Sequence, residues 1–123
     1  MLNRYFWAAF AWTAAITVAC LLSADTVDKV PLINIPYKDK IAHFTFYFIF
    51  TLLWAKYFRS LHKDGIKARA MVFVFATGWG ILIEVCQMLF TAQRSADVLD
   101  AVANTAGSIA AIVAIWLYRR NRN

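Results

Sequence analysis

Apolar and polar positions divide the chain into four long apolar runs separated by short polar connections. The runs extend from about Tyr5 to Leu22, Ile41 to Phe58, Ala70 to Phe90 and Val98 to Tyr118. Each is close to the ~20 residues that an α-helix needs to cross ~30 Å of hydrocarbon. A helix satisfies its backbone polar groups within the segment, so four membrane-spanning helices are the expected elements. No proline interrupts a run. Pro31 and Pro36 lie in the first connection, and Gly65 marks the second. The third, around Thr91 to Ser95, is short and makes the third and fourth helices antiparallel neighbours. The expected fold is all-α: a polytopic bundle of four transmembrane helices, one domain over residues 1–123.

Composition agrees. Of 123 residues, 62% are hydrophobic, more than a soluble domain of this size carries. The net charge of +6 is concentrated in the connections and at the C-terminus. Arg4, Lys56, Arg59, Lys63, Lys67, Arg69, Arg119, Arg120 and Arg122 fall on one side of the membrane. Only Lys29, Lys38, Lys40 and Arg94 fall on the other. The richer side is expected to be cytoplasmic, with both termini inside. Trp7, Trp54, Trp116 and Tyr118 lie at that same interface. No basic helix or aromatic–basic platform points to nucleic acid, which is excluded as a partner.

The first run is read as an uncleaved helix. It is longer than the ~7–15 residues of a signal-peptide core, and Leu22-Ser23-Ala24 is a poor cleavage site. The stretch Ile16 to Cys20 loosely resembles a lipoprotein box without its usual leucine. Cys20 and Cys86 lack metal-ligand or redox spacing and are expected as small buried apolar residues.

Several residues do not belong in lipid. Asp39, His43 and Tyr47, spaced by four, share one face of the second helix, with Lys40 beside them. Glu84 and Gln87 share a face of the third. Arg94 and Ser95 lie in the connection, and Asp97, Asp100, Asn104 and Gly107 form a stripe on the fourth. Glu84 and Asn104 each lie ~9 Å inside the end of their runs, at ~1.5 Å per residue. All these residues occupy the outer halves of their helices, while the inner halves are almost wholly apolar. Buried polar groups of this kind face a bundle interior or a wet cavity. A polar cavity open to the outer face is therefore expected. Ala103, Gly107 and Ala111 form a small-residue seam, and Gly78 and Gly80 are candidates for another.

The ordered set Asp39-Lys40-x-x-His43-Phe44, Glu84-x-x-Gln87, Arg94, Asp97 or Asp100, and Asn104-x-x-Gly107 resembles the VanZ-like membrane protein family over about residues 37 to 118. The resemblance implies a bacterial cytoplasmic (inner) membrane protein. The family takes its name from a protein associated with reduced susceptibility to teicoplanin, so it also implies a cell-envelope or antibiotic-resistance role.

Two functional classes stay open. In the first, an envelope enzyme or lipid-handling protein uses His43 and Glu84 as acid–base catalysts. Asp39, Lys40, Tyr47, Gln87, Arg94, Asp97, Asp100 and Asn104 bind the ligand, and Arg94 grips a phosphate or carboxylate in its fork. The expected partner is a membrane lipid, a lipid-linked cell-wall precursor or a lipoglycopeptide. In the second, an accessory protein uses the same residues for binding alone, or as a network that only fixes helix packing. A hard cation held by Asp39, His43, Glu84 and Asp100 is conceivable, but no metal or cofactor is expected. Nothing fits serine or cysteine nucleophile chemistry.

Overall fold

The computed structural model describes residues 2–22, 38–63, 65–90 and 98–122, with the side chains of residues 22, 38, 39 and 90 outside that description. The described residues form four helices: α1 (Arg4–Leu22), α2 (Lys38–Ser60), α3 (Ile66–Phe90) and α4 (Val98–Arg122). All four are long and apolar enough to cross a membrane. The helices outlast the apolar runs. α2 begins three residues early, α3 four residues early, and α4 continues four residues past Tyr118. Lysine and arginine are good helix formers, and their long stems carry the charge to the interface while the backbone stays helical.

Local chemistry sets two of the ends. The Asn3 side-chain oxygen accepts from the Tyr5 and Phe6 amides at 3.0 and 3.1 Å, which caps α1. α2 ends in a left-handed residue, His62, at φ 62°. The Lys63 amide donates to Phe58 O and the His62 amide to Arg59 O, both at 2.9 Å. This pair of bonds closes the last carbonyls of the helix and starts the turn into α3.

In a membrane, apolar surface alone does not drive helices together, so packing relies on small residues, shape and interhelical hydrogen bonds. Ala9 and Ala76 are fully buried and let their helices approach an aromatic core around Tyr47, Phe50 and Trp54. Phe75 of α3 packs tilted against Phe50 and edge-on against Trp54, each at 5.3 Å between ring centroids. Phe6 of α1 meets Trp54 and Tyr57 edge-on.

Two threonines tie α1 to its neighbours. Thr13 and Thr17 each donate to the carbonyl four residues back, at 2.8 and 2.7 Å. Each hydroxyl keeps an oxygen lone pair for an indole N–H, which is a donor only. Trp54 of α2 donates to Thr13 at 3.0 Å, and Trp79 of α3 donates to Thr17 at 3.1 Å. Trp12 adds a bond to Phe46 O at 2.9 Å. The middle of the bundle is thus less purely apolar than the hydropathy pattern implies. Outward-facing Trp7, Phe10, Val74 and Leu89 are exposed, as lipid-facing positions are.

Cys20 is buried and Cys86 half-buried, and no bond joins them.

Candidate functional site

α2 and α4 form the closest helix pair and run parallel. Their cross-contacts keep sequence separations of 60, 61 and 57 residues from one end of the seam to its middle. Gly107 makes this approach. A Cβ at that position would overlap the Phe44 carbonyl and lie 3.1 Å from the Phe48 amide nitrogen. Asp100, Asn104, Gly107, Ser108 and Ala111 are the buried residues of α4, spaced as one stripe. Ala103, expected in the seam, is half-buried at its edge.

Above Gly107 the seam becomes a polar cluster. Lys40 Nζ lies 2.6 Å from Asp100 Oδ1. His43 Nδ1 lies 3.0 Å from Asn104 Oδ1, and His43 Nε2 lies 3.5 Å from Asp100 Oδ2. An amide oxygen only accepts, so the first of these bonds puts a proton on Nδ1. A carboxylate also only accepts. The Nε2–Asp100 contact is therefore attractive when a proton lies on one of the two facing atoms. Asp100 is 1% exposed and the Lys40 side chain 19%, so the carboxylate is sealed while its cation reaches the rim. Below Gly107, Thr51 donates to Ser108 at 3.0 Å, and both are fully buried.

α3 contributes a second polar face through Gly80, Glu84 and Gln87, all buried. Gly80 makes room for Asn104: a Cβ there would stand 2.9 Å from Asn104 Nδ2. Asn104 thus lies between His43 on α2 and the backbone of α3. Gly78 faces outward with nothing within 4 Å, so only Gly80 of the two glycines serves close packing. Gln87 Nε2 donates to Cys20 O at 2.7 Å and ties α3 to the end of α1. Tyr47 is 1% exposed, and its hydroxyl meets no hydrogen-bond partner among the described residues.

Of the residues singled out in the sequence, Lys40, His43, Asp100 and Asn104 come together directly. Tyr47, Glu84 and Gln87 are buried alongside. Asp39 lies in the first turn of α2 with its side chain outside the description, and Arg94 and Asp97 lie outside the described residues. The clustered side chains pack on one another, and the cavity described below opens at the opposite end of the bundle. Lys40, expected to face a ligand beside Arg94, meets Asp100. Sequence reading missed Thr13, Thr51 and Ser108. Hydroxyl residues inside an apolar helix read as neutral, because each can bond to its own backbone. Among the described residues, no three His, Cys, Asp or Glu side chains converge as metal ligands do.

These features define a multi-pass helical membrane protein whose parallel second and fourth helices share a buried Lys–Asp–His–Asn cluster. The chain belongs to the VanZ/LLP1 family, whose model matches residues 2–119. It is similar to an uncharacterized protein of the fission yeast Schizosaccharomyces pombe, 28% identical over 108 residues. That match covers 88% of this chain and 65% of the yeast protein, so the chain spans less than two thirds of its relative's length. No solved structure matches the chain.

Proposed function

We propose that the α2–α4 cluster is the working site of the protein and that it handles the phosphate-bearing headgroup of a membrane lipid or lipid-linked envelope precursor. The observation that carries this reading is the two-sided hold on His43. Asn104 orients the ring through Nδ1, and Nε2 faces a sealed carboxylate whose other oxygen is bonded to Lys40. A ring held in this way is suited to passing a proton to or from a bound anionic group. Lys40, at the rim, supplies the positive charge that draws such a group in. The basic-residue bias supports an outward-facing site, with both termini in the cytoplasm. A role in envelope-antibiotic resistance would follow if the ligand were a cell-wall precursor.

A second reading has its own support. Lys40 with Asp100, and His43 with Asn104, satisfy one another across the helix pair. A network of this kind fixes register without turnover.

Photo-crosslinking separates the two. A phospholipid with a diazirine close to its phosphate is reconstituted with the protein, and labelled peptides are mapped. Labelling at residues 38–43 or 98–104, lost in a His43→Gln protein of unchanged thermal stability, supports the ligand site. Absence of label there in the wild type reduces the cluster to a packing network. Single cysteines at positions 28 and 63, probed in intact cells, test the orientation. External labelling at 63 with none at 28 would reverse it.

A further inference from the structure

The opposite end of the bundle holds a feature that the α2–α4 cluster does not use. A cavity of about 520 Å³ opens between the end of α2, the start of α3 and the end of α4. Its walls divide by chemistry. Leu52, Leu53, Val72, Ala114 and Ile115 line the part nearer the membrane centre, and Lys56, Arg59, Lys63, Arg69 and Arg119 line the part nearer the surface. Seven residues separate Leu52 from Arg59, so the cavity follows α2 for ~10 Å across the boundary between hydrocarbon and headgroups.

Charge bias at a membrane face is common and by itself identifies nothing. Three observations go further here. The cations converge on a concave space from three helices. No acidic side chain lines it among the described residues. Arg69 Nε is buried with no hydrogen-bond partner among the described residues, although a guanidinium with a buried N–H ordinarily has one.

We infer that this cavity is a second, separate site, one that takes the phosphate headgroup of an anionic membrane phospholipid and lays an acyl chain against its apolar wall. The arginines suit this ligand because a guanidinium binds phosphate oxygens through paired N–H donors. Pockets of basic residues between helices at a membrane face recognise anionic headgroups in the same way. Lateral entry from the bilayer lets the chain and the headgroup arrive together. A soluble phosphate would leave the apolar half of the cavity unfilled.

Native mass spectrometry of the full chain tests the inference, with phosphatidylglycerol, phosphatidylcholine and inorganic phosphate as probes. The wild type is expected to retain phosphatidylglycerol over phosphatidylcholine. The double variant Arg69→Gln/Arg119→Gln should lose that retention roughly tenfold or more. Arg120→Gln/Arg122→Gln removes the same charge outside the cavity and should retain the lipid. Ala114→Trp fills the apolar wall without changing charge and should also lose retention, which decides the matter if the double arginine variant fails to fold. His43→Gln should retain the lipid, because this site stands whether or not the α2–α4 reading does. Equal loss in both arginine pairs would reduce the effect to surface charge. Equal retention of phosphatidylcholine would make the cavity merely apolar, and competition by millimolar inorganic phosphate would make it a free-anion site. Any of these three results overturns the inference.

Discussion

Gly107 of α4 lies directly against the Phe44 carbonyl of α2, with no room for a Cβ between them. The obstructing atoms are backbone, so they cannot turn aside as a side-chain tip can. Gly107→Ala is expected to force α2 and α4 apart and cost at least ~1–3 kcal/mol, the usual range for overpacking. Gly78→Ala meets nothing within 4 Å and should be neutral or slightly stabilising. Thermal unfolding in a mild detergent measures both. Equal midpoints would show that the seam is looser than its geometry.

Gly80→Ala makes a different prediction, at the meeting of α3 and α4. Its Cβ would press on Asn104 Nδ2, the far end of a side chain. The amide can move away at small cost to stability, but in doing so it gives up its bond to His43. Gly80→Ala should therefore shift the ¹⁵N resonance of His43 Nδ1 while the unfolding midpoint changes less than in Gly107→Ala. An unshifted resonance would mean that Asn104 does not hold the ring.

The Lys40–Asp100 pair should show strong coupling. Lys40→Met leaves a carboxylate sealed beneath α2 without its cation, a loss of ~3 kcal/mol or more by the usual measure for buried pairs. Asp100→Asn on that background removes the stranded charge. The double variant should be more stable than Lys40→Met alone, with a coupling energy of ~0.5–3 kcal/mol in a double-mutant cycle. Additive losses would mean that the two groups do not interact across the seam.

Trp54→Phe keeps the ring in the aromatic core and removes one indole N–H. Because Thr13 still bonds to Ala9 O, only the interhelical bond is lost. Polar bonds between membrane helices contribute ~0.6 kcal/mol on average and up to ~1.7. A loss in that range is expected, and Trp54→Phe combined with Thr13→Val should cost little beyond Trp54→Phe. A large additional loss would place the role of Thr13 elsewhere.

His62 is a non-glycine residue in the left-handed region, on the exposed turn that ends α2. Glycine adopts this conformation without the Cβ penalty of ~1–2 kcal/mol. His62→Gly is expected to raise stability by about 0.5–1 kcal/mol, the remainder offset by the greater freedom of glycine when unfolded. His62→Ala should not. A fall in the unfolding midpoint for His62→Gly would mean that the imidazole makes a contact of its own.

The sequence by itself determined the number, order and approximate ends of the spans. The apolar runs are as long as a helix needs to cross a bilayer, and an unbroken apolar run of that length satisfies its backbone in lipid as a helix. It also marked Lys40, His43, Glu84, Gln87, Asp100 and Asn104, because polar groups in an apolar run need a reason to be there. Which of them touch was decided only by the tertiary structure. Helical spacing puts Asp39, His43 and Tyr47 on one face of α2, but the mate of Asp100 proved to be Lys40, one residue over. The partner of a side chain depends on how two helices rotate and slide against each other. In α2 and α4 that depends on Gly107, where the absence of a Cβ allows backbone to meet backbone. The threonine–tryptophan bonds and the basic cavity were equally invisible in one dimension. Each joins residues 41 to 62 positions apart, or three helix ends, and no local pattern encodes such a meeting.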